Sequence, residues 1–300
     1  MATIMAACLP RCSTMLKLYA QLLASLKEVQ ETMTFPTTHY TQGQPSHFID
    51  IQGTAIAYQQ SGQGRPLLCV HGNFASKRWF HEQLQAPPPG WRVIALDLPN
   101  FAESGSMPEA ISIAAYAHYL RAFVDSLELD NIVLLGHSLG GAVAQVYAAQ
   151  HAESLQGLIL LASAGPQGIK TPEERYAMLT MLHNNRQLMS QVLGPTMGSR
   201  QPAYFDALVD DALAMHATCL RGNARALEHY DVSRASARLK CPVWVLRGNL
   251  DYLISENIAR QTAASFPHAR LEQWHDVGHS PQIEAPERFN RALAAFLETL

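Results

Sequence analysis

From residue 46 onward, apolar runs of strand length alternate with segments whose apolar residues recur at helical spacing. The runs are 46–51 (SHFIDI), 54–60 (TAIAYQQ), 66–70 (PLLCV), 92–96 (RVIAL), 131–135 (NIVLL), 157–161 (GLILL), 242–246 (PVWVL) and 269–273 (ARLEQ). The first two alternate in polarity around Gln52-Gly53, which predicts an antiparallel hairpin at a sheet edge. Later runs are continuously aliphatic, as parallel strands buried on both faces must be. Helical spacing at 111–128, 139–151, 254–265 and 285–299 supplies the covering layers. The pattern predicts an α/β fold: a mostly parallel eight-stranded sheet flanked by helices, with its ligand crevice beyond the C-terminal strand ends.

Between 157–161 and 242–246 there is no strand signal. Residues 172–192 and 202–230 are helical in spacing, broken by Gly194-Pro195 and Gln201-Pro202. Because the flanking runs belong to one sheet, residues 165–235 are expected to form an inserted helical lid, and residues 46–164 with 236–300 the core. Residues 1–45 read as a peripheral extension and linker. Leu16, Tyr19, Leu22, Leu23 and Leu26 there share one helical face, followed by a stretch rich in Thr, Pro and Gln. The short apolar start, MATIMAAC, lacks the basic residues and length of a signal peptide.

Apolar residues make up 48% of the 300 and charged residues 16%, enough for a sizeable core and too apolar for a disordered chain. With 22 Lys+Arg against 25 Asp+Glu and no basic block, binding to nucleic acid is not expected. No apolar stretch is long enough to span a membrane. The cysteines, Cys8, Cys12, Cys69, Cys219 and Cys241, are odd in number, and Cys69 and Cys241 sit in apolar runs. Reduced thiols and a cytoplasmic location follow as expectations.

The chemistry concentrates at Gly136-His137-Ser138-Leu139-Gly140-Gly141, directly after NIVLL and before AVAQVYAAQ. A serine in so tight a strand-to-helix turn needs small neighbours, which Gly136 and Gly140 provide. The turn would raise Ser138 Oγ above the sheet at the positive end of the following helix, with the Leu139 N–H free to bind an oxyanion. Serine needs a base, and the base an orienting group. Asp251 follows the run PVWVLRG and His279 follows ARLEQ, so both are expected at the same sheet edge as Ser138. The second oxyanion donor is expected after PLLCV, where Gly72 lets the chain bend the N–H of Asn73, or of Phe74, toward Ser138. Asn73 also carries a side-chain amide that could meet substrate. His71 reads as structural.

His275-x-x-x-His279 has the spacing of a zinc pair, but it lies in a loop without the glutamate of a helical metalloprotease motif, so no metal is expected. Asp276 reads as serving its turn rather than orienting His279. In the inserted segment, Met178, Met181, Met189, Met197 and Met215 gather with leucines. They fit an apolar acyl pocket and simple packing of the insert equally well. Phe74, His137, Met178 and Met181 are the candidate pocket residues.

Together these residues closely resemble the α/β-hydrolase superfamily, in its lid-bearing serine hydrolase and esterase branch, over residues 46–300. The resemblance rests on His71-Gly72-Asn73-Phe74, the segment Asp97-Leu98-Pro99-Asn100-Phe101-Ala102-Glu103-Ser104, the Ser138 turn, Asp251, and Gly278-His279 followed by Pro286-Glu287. It implies a catalytic triad in the family order Ser138, Asp251, His279, with no cofactor. Serine at the turn differs from the aspartate of dehalogenases and epoxide hydrolases; His137 differs from the asparagine usual before the serine of C–C bond hydrolases. Asn100 and Ala102 replace two glycines of the family loop D-x-P-G-x-G-x-S. Asn accepts left-handed backbone and Ala resists it, which puts the family shape of that loop in question.

The expected function is hydrolysis of carboxylic esters or related small acyl substrates through an acyl-enzyme, the substrate carrying an apolar part. Two alternatives stand beside it: a lactonase or C–C bond hydrolase on the same triad, and a small-molecule receptor on this fold. The sequence leaves the oligomeric state open.

Overall fold

A computed structural model describes residues 45–233 and 239–300. The expected extension, with Cys8 and Cys12, and the end of the insert near residue 235 lie outside them. The chain opens with β1 (His47–Ile51) and β2 (Thr54–Gly62), then β3 (Arg65–Val70) and the short helix α1 (His81–Gln85). There follow β4 (Trp91–Leu96), α2 (Ile113–Ser126), β5 (Ile132–His137), α3 (Leu139–Gln150) and β6 (Leu155–Leu161). Four helices come next: α4 (Glu173–Met181), α5 (Arg186–Leu193), α6 (Phe205–Leu213) and α7 (Cys219–Glu228). The chain then returns to the sheet with β7 (Val243–Gly248), α8 (Glu256–Ala264), β8 (Ala269–Trp274), α9 (Pro281–Glu284) and α10 (Pro286–Leu297).

The eight strands form one sheet in the order β1-β2-β4-β3-β5-β6-β7-β8. β1 and β2 pair antiparallel, β2 pairs antiparallel with β4, and every later pairing is parallel. Each expected strand is present, the Gln52-Gly53 hairpin included. Gln52 and Gly53 both take positive φ, +55° and +82°, as a two-residue turn between twisted strands requires. Cys241 is the exception to the run assignments. It precedes β7 and is half-buried, whereas Cys69 is wholly buried within β3, where burial pushes its thiol pKa up.

The continuous aliphatic character of the central strands has a simple cause: successive side chains point to opposite faces, and both faces are covered. Leu68, Val70, Leu134, Leu158, Leu160, Val243 and Val245 enter the core shared with α2 and α3. Leu67, Cys69, Val133, Leu135, Ile159, Leu161, Trp244 and Leu246 enter the other, closed by Phe289, Leu293 and Phe296 of α10. With both faces filled, the loops that leave the sheet's C-terminal edge are where polar side chains can gather. At the C-terminal edge β3, β5, β7 and β8 release the segments that begin at His71, Ser138, Asn249 and His275.

Candidate active site

Ser138 caps α3 with φ +55° and ψ −115°, a left-handed conformation that a β-carbon makes costly. The turn is held from several directions. Ser138 N–H donates to Leu161 O at 3.0 Å, and Ser138 O accepts from Gly141 and Ala164 at 3.0 and 3.2 Å. Gly140 lies directly against the carbonyls of Val70 and His71, so a Cβ there would collide with β3, and one on Gly136 would collide with Gly140 O. Ser138 itself is half-buried. Leu139 is the first residue of α3, and its N–H has no carbonyl behind it within the helix.

The loop after β3 passes beside this turn: a Cβ on Gly72 would come within 2.9 Å of Ser138 Cβ. Asn73 is half-buried there, and Phe74 is 9% exposed with φ +55°. His71 is fully buried, donating from Nδ1 to Gly72 O at 2.8 Å and accepting Leu98 N–H on Nε2 at 3.0 Å. Both nitrogens are spent. Burial, with Lys77 nearby, pulls its pKa down to about 4, so it is a neutral brace.

Asp251 Oδ2 lies 2.8 Å from His279 Nδ1, and both residues are 4% exposed. Asp251 Oδ1 accepts Leu253 N–H at 2.8 Å and Ile254 N–H at 3.0 Å. Burial alone would raise this carboxyl, but the charge and hydrogen bond of His279 and the two backbone donors hold its pKa below the ordinary value. With Nδ1 engaged, Nε2 of His279 has no acceptor or donor among the described residues. Asp276 instead pairs with Arg288 at 2.8 Å on the surface, and His275 Nδ1 meets Asn249 Nδ2 at 2.8 Å.

Two of the candidate pocket residues need correction. His137 is closed off from the surface. At 1% exposure it sits beneath His279, donating from Nε2 to the His279 carbonyl at 2.9 Å and stacked on Trp79. Burial and the neighbouring His279 ring lower its pKa to about 3, so it too is neutral. Met181 is 63% exposed, because α4 is polar on most sides and buries only Tyr176. Met178 is half-buried on the same helix. Met189, Met197 and Met215 are buried in the core cluster, where they pack the insert.

Other residues that shape the site escaped the sequence reading. Glu284 is 5% exposed and collects the His279 loop: Oε1 accepts Ser280 N–H at 2.9 Å, and Oε2 accepts Gly278 N–H at 2.8 Å. The same Oε2 takes the N–H and Oγ of Ser199, from the insert, at 2.9 and 2.8 Å. His279 N–H donates to Thr196 O at 3.0 Å, a second tie to the insert. Lys77 Nζ is buried 2.6 Å from Asp97 Oδ2 and also pairs with Glu103, fastening the rim loop. A glutamate closing the four-residue helix PQIE, four residues after Ser280 and so spaced to reach back to it, was the available signal for Glu284.

Asn100 and Ala102 both keep positive φ, +71° and +42°. The loop therefore retains the left-handed bends that glycine would provide. Asn100 N–H donates to Gly105 O at 2.9 Å, Gly105 N–H to Ala55 O at 2.7 Å, and Ser104 Oγ to Asp97 O at 2.8 Å, which together hold Ala102 in place.

Residues 65–286 match the family model of the alpha/beta hydrolase fold, and the chain belongs to that family. It is 27% identical over 263 residues to the AB hydrolase superfamily protein YisY of Bacillus subtilis, covering 83% of this chain and 98% of that one. It is 25% identical over 290 residues to a 2-hydroxy-6-oxononadienedioate/2-hydroxy-6-oxononatrienedioate hydrolase of Burkholderia vietnamiensis, covering 87% and 98%. Among solved structures, an esterase from Exiguobacterium antarcticum superposes with a TM-score of 0.75 at 20% identity, covering 84% of this chain and 98% of that one. Among the described residues no helix is long and apolar enough to cross a membrane.

Proposed function

We propose that the protein is a serine hydrolase that cleaves carboxylic esters or related small acyl substrates. The observation that carries this reading is the 2.8 Å contact between Asp251 Oδ2 and His279 Nδ1, set at the sheet edge where Ser138 occupies its left-handed turn. Asp251 fixes the imidazole with its proton on Nδ1, so Nε2 is the basic nitrogen. As Ser138 Oγ bonds the acyl carbon, its proton passes to His279 Nε2 and the carbonyl electrons move onto oxygen. The N–H groups of Leu139 and Asn73 receive that oxyanion. Collapse expels the alcohol, which takes the proton from His279 and leaves an acyl-Ser138 ester. Water then attacks the ester with its proton going to His279, and the acid is released as Ser138 regains a proton.

Residues 165–235 are the lid of this site. The ties from Thr196 and Ser199 to the His279 loop support that role, as do those from Asp211 of α6 to Ser76 Oγ at 2.6 Å and to Arg78 Nε at 2.8 Å. A fluorophosphonate probe followed by peptide mapping tests the assignment. One adduct at Ser138, with hydrolysis of p-nitrophenyl esters lost on labelling, is expected; labelling elsewhere, or none in folded protein, sinks it. Hydrolysis of a C–C bond by the same three residues of this chain is the second reading, favoured by the likeness to the Burkholderia hydrolase of 2-hydroxy-6-oxononadienedioate, and faster turnover of a vinylogous diketone than of esters would select it.

A further inference from the structure

Two buried polar groups and one half-buried one are hydrogen-bonded in series from the covering helices to the oxyanion loop. Tyr116 of α2 donates its hydroxyl proton to Asn223 Oδ1 at 2.8 Å, and Asn223 Nδ2, on α7, donates to Asn73 Oδ1 at 2.8 Å. Tyr116 and Asn223 are both fully buried. The amide orientation of Asn223 follows from its surroundings. On the Nδ2 side lie Asn73 Oδ1 and, at 3.8 Å, the Met215 sulfur, which accepts hydrogen bonds and has none to donate; on the Oδ1 side lies a phenol hydroxyl. Reversing the amide would set its oxygen against a thioether.

An asparagine this deep in an apolar layer costs stability unless its partners are made, and here its carboxamide reaches through the layer to one residue of the loop beside Ser138. That residue is the one whose backbone N–H is assigned to the oxyanion. A donor of this kind works only if it is fixed before the charge develops, since a wandering N–H gives back in reorganisation what it gains in attraction. We propose that Asn223, oriented by Tyr116, is a positioning residue for the oxyanion loop: it holds Asn73 by its side chain so that the Asn73 N–H is set for the transition state. The inference rests on the triad reading above. It makes the insert a working part of the catalytic centre, reaching it from α7 as well as covering it.

The test separates positioning from stability. Asn223→Ala would leave a cavity and strip the Tyr116 phenol of its bond to Asn223 Oδ1, with Cys219 Sγ at 3.7 Å remaining, so the informative variant is Tyr116→Phe/Asn223→Leu, which removes both polar groups while preserving shape and is expected to fold. With p-nitrophenyl butyrate, kcat should fall about 10-fold with KM changed less than about 3-fold, because both acylation and deacylation need the oxyanion donor. Affinity for a trifluoromethyl ketone, whose adduct carries the oxyanion, should weaken by a similar factor. Adding Asn73→Ala to that double variant should cost little more than Asn73→Ala alone. Unchanged kcat and ketone affinity, a pure rise in KM, or full additivity with Asn73→Ala would each overturn the inference. Fluorophosphonate labelling of the unaltered protein runs beside it: failure at Ser138 removes the triad reading itself, whereas labelling at Ser138 with unaltered kinetics in the double variant removes only the role of Asn223.

Discussion

Asp251 presents one carboxylate oxygen to His279 Nδ1 at 2.8 Å and commits the other to the backbone N–H groups of Leu253 and Ile254 at 2.8 and 3.0 Å. That division fixes what Asp251→Asn must do. The two backbone donors claim the remaining amide oxygen, so the amide nitrogen faces His279 Nδ1, donor against donor. The imidazole then carries its proton on Nε2, where it cannot accept from Ser138. A loss in kcat of about 10⁴-fold is expected in a protein whose far-UV circular dichroism is unaltered. Activity within about 10-fold of the parent would mean that another acid orients His279.

His71 and His137 are buried as neutral imidazoles, with pKa values lowered to about 4 and about 3 by desolvation. The unfolded chain binds their protons near the ordinary value of about 6.5. Between those limits it holds more protons than the folded protein, so their contribution is complete above pH 6.5 and is lost as the pH falls toward 4 and 3. From pH 7.5 to pH 5 each should cost roughly 2 kcal/mol of unfolding free energy. Urea titrations at the two pH values measure it, and His137→Phe, which keeps the stack on Trp79, should flatten the dependence by about half. A parent midpoint that did not move would contradict neutral burial.

The placement of Ser138 and Asp251 at the sheet edge was legible because each follows an apolar run that reads as a buried strand, β5 and β7, and strands of one parallel sheet end on one edge; His279 follows the mixed run ARLEQ, the half-exposed edge strand β8, and was legible from its place after the last strand. His137 was not. Its neighbours in sequence mark a turn beside the nucleophile, while the contact that decides its role, with the His279 carbonyl, spans much of the chain and exists only after β5 and β8 are placed. The same holds for Asn223, which reads as one more polar residue on an amphipathic helix until α7 is laid against the loop after β3. The methionines show the limit of composition: Met189 and Met181 lie in neighbouring helices, yet one is 1% and the other 63% exposed.

Ala102 holds φ at +42° where its β-carbon opposes that conformation. The hydrogen bonds around Asn100, Ser104 and Gly105 enforce it, so strain is stored in the folded state. Ala102→Gly relieves the strain but frees the unfolded chain, and the two effects oppose one another. Steric relief of about 1–2 kcal/mol against an entropic loss of about 0.4–1 leaves a net gain of roughly 1 kcal/mol. The urea midpoint should rise with the slope unchanged. The same substitution at Asn100, whose side chain accepts Met107 N–H at 3.2 Å, should bring no gain, since the relief there is smaller and a hydrogen bond is lost. A lower midpoint for Ala102→Gly would show that the bend carries no strain.

Glu284 is the residue whose removal should be felt at both the His279 loop and the insert. Its Oε2 receives three donors, Gly278 N–H, Ser199 N–H and Ser199 Oγ, while Oε1 receives Ser280 N–H. In Glu284→Gln one oxygen becomes an NH₂. The amide oxygen will settle on the side with three donors, which turns the NH₂ against the Ser280 N–H, one residue beyond His279. A buried donor then faces a donor, and charge assistance is lost from the remaining bonds. Destabilisation of about 3 kcal/mol is expected, against about 1 kcal/mol for Ser199→Ala, which forfeits a single hydroxyl bond. Because Gly278 and Ser280 flank His279, kcat of Glu284→Gln should also fall, by about 10-fold, under conditions where the variant remains folded. Urea unfolding and ester hydrolysis on the same preparations distinguish the two losses: a destabilised variant with undiminished kcat would confine Glu284 to stability, and an unshifted urea midpoint would remove it from both roles.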